Sequence, residues 1–217
     1  MSRMVNVSAW CVVCALMLTA ACRATPDTPV SEAGPTLPPV SGMAQDLIVQ
    51  LEDLPAGFAL AGDEHPQANE YSVIYVRPDT LALRDPAGAA LVGVIANLSL
   101  HPDAAAAAAQ FKALGGLDRD SVEQAVREAS GTTAAIAVEP DDVRLDGADE
   151  VAVFLVRYTI SDIPLDEYRF RIRAANAIAN LIVTAPSAAT TASASSLRQA
   201  ALVIADKQMA RLNRARH

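Results

Sequence analysis

Residues 150–184 read EVAVFLVRYTISDIPLDEYRFRIRAANAIANLIVT, and this stretch decides the fold. Its first part, from Glu150 to Ile160, is rich in β-branched and aromatic residues, which is typical of a β-strand. After a turn that contains Pro164, hydrophobic and charged residues alternate with a period of two, as in a strand with one buried face. If the chain turns again at 174–176, the remainder forms two strands. Consecutive strands that are joined by short turns predict antiparallel pairing.

Further strands and helices are predicted on both sides of this stretch. Strand composition is found in three segments, at 71–77, 91–100 and 134–138. Helical spacing of apolar residues, or a high alanine content, predicts helices over 44–54, 104–114, 118–129 and 195–213. This order of elements predicts an α+β fold, with a mainly antiparallel sheet of about five to seven strands and helices packed on one face.

The first residues of the chain have the composition of an export signal. Residues 1–22 read MSRMVNVSAWCVVCALMLTAAC, in which Arg3 precedes an uncharged apolar run at 9–18. A run of this length is too short to span a bilayer comfortably, but it fits the hydrophobic region of a signal peptide. The small residues at 19–21 then lead directly to Cys22.

This segment resembles the lipobox of bacterial lipoproteins, in which small residues precede an acylated cysteine. The family usually has leucine three positions before the cysteine, where this chain has Thr19 preceded by Leu18. The resemblance implies that residues 1–21 are removed and that Cys22 carries a diacylglyceryl group whose acyl chains include palmitate. Two acyl chains give a stable anchor, so we expect a protein held on the extracytoplasmic side of the cell membrane. The alternative is an ordinary secretory signal, cut after the two alanines.

The segment after the cysteine is predicted to be a tether. It contains five prolines among Ser, Thr, Gly and Glu, and its apolar residues have no periodicity. Such a composition favours a disordered or extended chain. The sequence is therefore divided into a signal peptide at 1–21, a Pro-rich tether at 22–42 and a single α+β domain at 43–217.

Charge and cysteine content exclude several classes of partner. The full chain has a net charge of -8, and removal of the leader with its single basic residue, Arg3, makes this -9. Such an acidic chain is not expected to bind nucleic acid, which requires a concentrated positive surface. Cys11 and Cys14 lie in the leader, so the domain has no disulfide and no thiolate metal site. No cofactor is predicted.

We find no motif that predicts catalysis. The glycine-rich nucleotide motifs, the hydrolase G-x-S-x-G and the metalloprotease H-E-x-x-H are all missing from the sequence. A Ser-His-acid triad is a spatial arrangement, and only His65 and His101 are plausible bases for one. The acidic stretch 139–150 is interpreted as a solvated turn, with calcium binding as the alternative. We therefore expect no metal site and a protein that is not an enzyme.

Three arginines form the most distinctive polar pattern. Arg169, Arg171 and Arg173 are spaced so that their side chains point to the same face of one strand. In an acidic chain such a stripe is a candidate site for a phosphate, sulfate or carboxylate group. The alternative is a solvated face that is balanced by acids on a neighbouring strand, such as Asp149 or Glu150.

Four pieces of the domain resemble small actinobacterial-type lipoproteins and extracellular sensor-like domains. The pieces are LEDLPAGF (51–58), the strand from Glu150, RIRAANAIANLIV (171–183) and ADKQMARL (205–212). The resemblance implies an α+β envelope domain with a cleft, and it carries no ligand or functional residue across.

Three functions follow as hypotheses. The first is a membrane-anchored, non-catalytic binding or sensing module with a small-molecule or protein ligand. The second is a lipoprotein that acts in envelope assembly through protein contacts, and an exposed apolar patch would favour it. The third is an enzyme with an unrecognised site, and a deep pocket lined by perturbed carboxylates or by His101 would favour it.

Overall fold

The computed structural model describes residues 38–78, 92–114, 118–160, 162–187 and 191–216. The leader, Cys22 and most of the predicted tether lie outside these residues, as does the C-terminal His217.

In the described residues, seven strands form one sheet in which every neighbouring pair is antiparallel. The strands are β1 (Ala59–Gln67), β2 (Glu70–Val76), β3 (Gly93–Leu100), β4 (Ala137–Pro140), β5 (Glu150–Ile160), β6 (Ile163–Ala174) and β7 (Ala177–Pro186). Their order across the sheet is β1-β2-β3-β7-β6-β5-β4. The predicted α+β fold with a mainly antiparallel sheet is therefore confirmed.

The part of the chain that the structure describes also contains four helices. They are α1 (Ala44–Leu47), α2 (Ala104–Ala113), α3 (Arg119–Ser130) and α4 (Thr191–Arg214), with a short 3₁₀ turn at Leu51–Asp53. Aspartates start the two middle helices: the carboxylates of Asp103 and Asp118 accept hydrogen bonds from the first-turn amides of Ala106 and Ser121. Each cap satisfies a backbone donor that has no partner inside its helix.

The main core lies on one side of the sheet, which we call the first face. On β6 this face carries Tyr168, Phe170 and Ile172, the apolar half of the alternating pattern. Helix α4 packs over it with the side chains of Leu197, Ala201, Ile204, Met209 and Leu212. Apolar side chains at every second strand position are buried here because the helix excludes water from them.

The other side of the sheet, the second face, carries two smaller apolar clusters. Phe111 of α2 packs with Ile178 of β7, and Val126 of α3 packs with Phe154 of β5. The order of elements predicts helices on one face, but α2 and α3 contact the second face and α1 and α4 contact the first. The physical reason is that the apolar side chains of Phe154 and Ile178 point away from the main core, so other helices must shield them from water.

The chain joins the core earlier than the predicted domain boundary at residue 43. Val40 is only 4% exposed and belongs to the main cluster. The helix predicted over 44–54 ends at Leu47 instead. The reason is tertiary: Gln208 of α4 accepts a hydrogen bond from the amide of Val49 and donates one to the carbonyl of Leu47. These contacts replace the helical hydrogen bonds of this segment.

Candidate functional site

The three predicted arginines lie on the second face of β6, but their surroundings differ. The guanidinium of Arg169 donates to Glu167 Oε2 over 2.8–2.9 Å. Arg173 donates to Glu150 over 2.8 Å and to Asp149 over 3.1 Å, so both acids named in the balanced-face alternative contact it. These two arginines are held in ion pairs that are mostly shielded from water, with Arg169 15% and Arg173 13% exposed.

The middle arginine belongs instead to a chain of polar side chains. Nε of Arg171 donates to Asn180 Oδ1 over 2.9 Å. Arg171 is half-buried, and burial lowers its pKa. A guanidinium stays protonated at physiological pH despite such a shift, so Arg171 is a partly desolvated positive charge.

The chain continues across the sheet through two more strands. Nδ2 of Asn180 on β7 lies 3.4 Å from Oδ1 of Asn97 on β3. Asn97 in turn donates to Ser72 Oγ on β2 over 2.8 Å and to Glu70 Oε1 over 3.3 Å. We call Ser72, Asn97, Asn180 and Arg171 the polar row.

Strand register explains why these four side chains meet. Ser72 pairs with Asn97, Asn97 with Asn180, and Asn180 with Arg171, so the residues occupy successive positions of one line across β2, β3, β7 and β6. Directly opposed side chains on one face of a sheet come within contact distance. The row therefore follows from the pairing of the strands and needs no special backbone geometry.

A serine and a histidine lie beside the row, since Ser99 follows Asn97 by two residues on the same face of β3. Ser99 Oγ is 3.2 Å from His101 Nε2, and Ser99 pairs in register with Glu70. Burial lowers the pKa of His101, and the nearby charge of Glu70 opposes this shift only in part. His101 is accordingly neutral at physiological pH. Among the described side chains no carboxylate hydrogen-bonds to its imidazole, so this pair lacks the orienting acid of a Ser-His-acid triad.

The other candidate residues lie away from the polar row. His65 is on the edge strand β1, where its Nε2 is 3.7 Å from Asp63 Oδ2 and its ring packs on Tyr71. In the acidic stretch, Asp141 pairs with Arg198 of α4, and Asp149 also accepts from the amide of Ala175. The structure describes no group of three His, Cys, Asp or Glu side chains placed to hold a metal ion.

The amide members of the row were not singled out from the sequence. Asn97 and Asn180 are isolated polar residues inside apolar strands, with the sequences VIANLSL and AIANLIV. Such residues at inward-facing or half-buried strand positions require hydrogen-bonding partners. That local signal was present, but the partners are set by strand order, which one sequence does not reveal.

Two shallow recesses lie elsewhere on the surface, with volumes of about 220 Å³ beside Arg214 and about 320 Å³ beside α3. None of the helices in the described part of the chain is long and apolar enough to cross a bilayer. No model of a known protein family matches the sequence, and a search of curated proteins finds no significant match.

Proposed function

We propose that this chain is a membrane-anchored, extracytoplasmic lipoprotein, and that its α+β domain is a non-catalytic binding or sensing module. The anchor rests on the leader sequence: a basic residue, a short apolar run, and small residues before Cys22. In this proposal two acyl chains on Cys22 hold the protein at the membrane, because each buried methylene contributes about 0.8 kcal/mol.

The observation that supports a binding module is the polar row. The half-buried guanidinium of Arg171 contacts the amide of Asn180, and the row continues through Asn97 to the hydroxyl of Ser72, on a face that the main core does not use. Guanidinium and amide groups in a partly desolvated setting are suited to carboxylate or phosphate groups. Arg169 and Arg173, on either side of Arg171, form ion pairs that hold this strand face in place.

Anchoring is tested with the full chain in a bacterium that processes lipoproteins. We expect the wild-type protein to stay in the membrane fraction after a high-salt wash and to incorporate labelled palmitate. The Cys22→Ala variant is expected to lose the label and to leave the membrane. If that variant remained membrane-bound after the wash, the anchoring proposal would fall.

Binding is tested by native mass spectrometry of the lipidated chain, released gently from membranes in detergent. We expect a stoichiometric adduct that carries a carboxylate or phosphate group. Arg171→Gln should abolish the adduct. Arg157→Gln is the matched control, since Arg157 forms an exposed ion pair with Glu139 away from the polar row. An adduct of equal occupancy in both variants would rule out the polar row as the site.

A second candidate function is envelope assembly through protein contacts. It is favoured by exposed apolar side chains at the end of the sheet where β5 turns into β6, where Ile163 is 52% exposed. Leu60 of the edge strand is 54% exposed. Crosslinking in intact cells tests this alternative. It would be supported over the binding module by a specific protein partner that is lost in Ile163→Asp, if native mass spectrometry also gave the mass of the monomer without a ligand.

A further inference from the structure

The junction between tether and domain is fixed by hydrogen bonds. The amide of Val40 donates to Asn176 Oδ1 over 2.6 Å, and Asn176 Nδ2 donates back to the carbonyl of Val40 over 3.2 Å. One residue later, the amide of Ser41 donates to the carbonyl of Ala215, just beyond α4, over 3.0 Å. Because Val40 is also buried, the chain can approach the domain only at this end. We call it the anchor-side end.

The anchor-side end is also the end that the predicted lipid position keeps near the bilayer. Only residues 23–37 separate Cys22 from the first described residue. If these residues form the flexible tether that their composition predicts, their end-to-end distance is about 21 Å. Strand β6 runs from Ile163 at the opposite end to Ala174 beside Asn176, and a strand of its length spans about 36 Å. The opposite end is thus expected to lie well away from the membrane.

The side chains exposed at the anchor-side end suit a lipid surface. Met43 is 61% exposed, the highest value among the exposed large hydrophobic side chains of the described residues. Arg214, in the last turn of α4, is exposed and lines a recess together with Asp46 and Leu47. An apolar and a long cationic side chain at the same end of a domain suit the bilayer interface, where the methyl end enters the acyl boundary and the guanidinium meets phosphate.

We propose that the anchor-side end, centred on Met43 and Arg214, rests on the surface of the bilayer that holds Cys22. This inference depends on the lipid anchor proposed above. The contact itself is small, but the anchor makes it intramolecular, so a weak affinity is enough to keep the domain seated. Contact through this end orients the sheet strands roughly perpendicular to the membrane plane. The polar row then lies on the side of the domain, open to the extracytoplasmic space.

The test uses the lipidated full chain in phosphatidylcholine vesicles, with an environment-sensitive fluorophore on a single introduced cysteine. Cys11 and Cys14 are removed with the leader and Cys22 is acylated, so the introduced thiol is the only reactive one. Gln45→Cys, exposed on α1 near Met43, reports on the anchor-side end. Ile163→Cys, at the opposite end, is the matched control. Lipids with a spin label near the headgroup act as quenchers.

We expect quenching at position 45 to be at least threefold stronger than at position 163. Met43→Ser in the Gln45→Cys background should reduce it to the level of position 163. Equal quenching at both positions in protein that floats with the vesicles would overturn the docking proposal and leave the anchor intact. Quenching that is unaffected by Met43→Ser would overturn the role of this patch. Protein that does not float with the vesicles would overturn both docking and anchoring.

Discussion

The two faces of the sheet are built from alternate residues of the same strands, yet they differ in what they do. The first face is almost entirely apolar and packs against α1 and α4 in one large cluster. The second face has two small apolar clusters, under α2 and α3, and the polar row between them. The comparison indicates that folding free energy comes mainly from the first face, which leaves part of the second face available for recognition.

Strand β6 shows this division most clearly. Its even-numbered residues from Tyr168 to Ile172 are buried in the main cluster, while Arg169, Arg171 and Arg173 alternate with them on the second face. A period of two places every second side chain on the same face. One strand thus contributes to both the core and the candidate site.

The largest difference in the free energy of unfolding is expected between alanine variants of two neighbouring residues of β7. Leu181 is 1% exposed on the first face, whereas Ile182 is half-buried on the second. Leu181→Ala leaves a cavity in the core, and we expect a loss of about 2–5 kcal/mol in the free energy of unfolding. Ile182→Ala should lose at most about 2 kcal/mol, because less apolar surface is removed from a buried setting. Urea unfolding followed by circular dichroism measures both. Equal losses of unfolding free energy in the two variants would contradict the inference that the first face contributes most of the stability.

A smaller effect is expected from a polar contact inside the main core. Gln208 is 1% exposed and satisfies the backbone of Leu47 and Val49. Gln208→Leu leaves a buried donor and acceptor without partners, which should cost about 1–3 kcal/mol in thermal unfolding. Gln199→Leu, on the exposed side of the same helix, is the control and should change stability by less than about 0.5 kcal/mol. If Gln208→Leu left the thermal stability unchanged, the amide of Gln208 would have no structural role.

The smallest expected effect is a pH dependence of the folding stability that comes from His101, at the border of the second face. Burial lowers the pKa of His101 in the folded state, so the unfolded chain binds a proton more readily. Stability should therefore fall as the pH decreases through the ordinary histidine range, about 6.5, toward the lower folded-state pKa. His101→Asn should flatten the melting temperature between pH 7.5 and 5.5. Since His65 is kept in both proteins, the difference between their curves reports His101; identical slopes would contradict the prediction.

Much of the fold was predictable because its signals are local. Composition predicts the strand from Glu150 to Ile160, and the period of two predicts the alternation on β6. The helices that begin after Asp103 and Asp118 were likewise found near their observed positions. These elements carry their own pattern of apolar residues and their own caps, so no tertiary information is needed to find them.

Other features depend on contacts that are distant in sequence. The edge strand β1 was not predicted, since its exposed residues Asp63, Glu64 and His65 have the composition of a loop. Charged residues are common on edge strands, where they discourage pairing with other chains. The polar row was also missed, because Asn97 and Asn180 become neighbours only through the pairing of β3 with β7. The arginine stripe was found, but the different partners of its three members were not.

The most direct test of the account separates stability from recognition at one position. Asn180→Asp places a carboxylate beside the Nε of Arg171, in the place of the amide oxygen that accepts its hydrogen bond at 2.9 Å. The new ion pair should offset the loss of the Asn180 Nδ2 donor, which lies 3.4 Å from Asn97 Oδ1, and so keep the melting temperature. It also neutralises the guanidinium that is proposed to bind an anionic group. Native mass spectrometry of the lipidated variant, with the wild type alongside, is the measurement. We expect an adduct in the wild type and none in an equally stable variant; an adduct of equal occupancy in both would contradict the proposed role of Arg171.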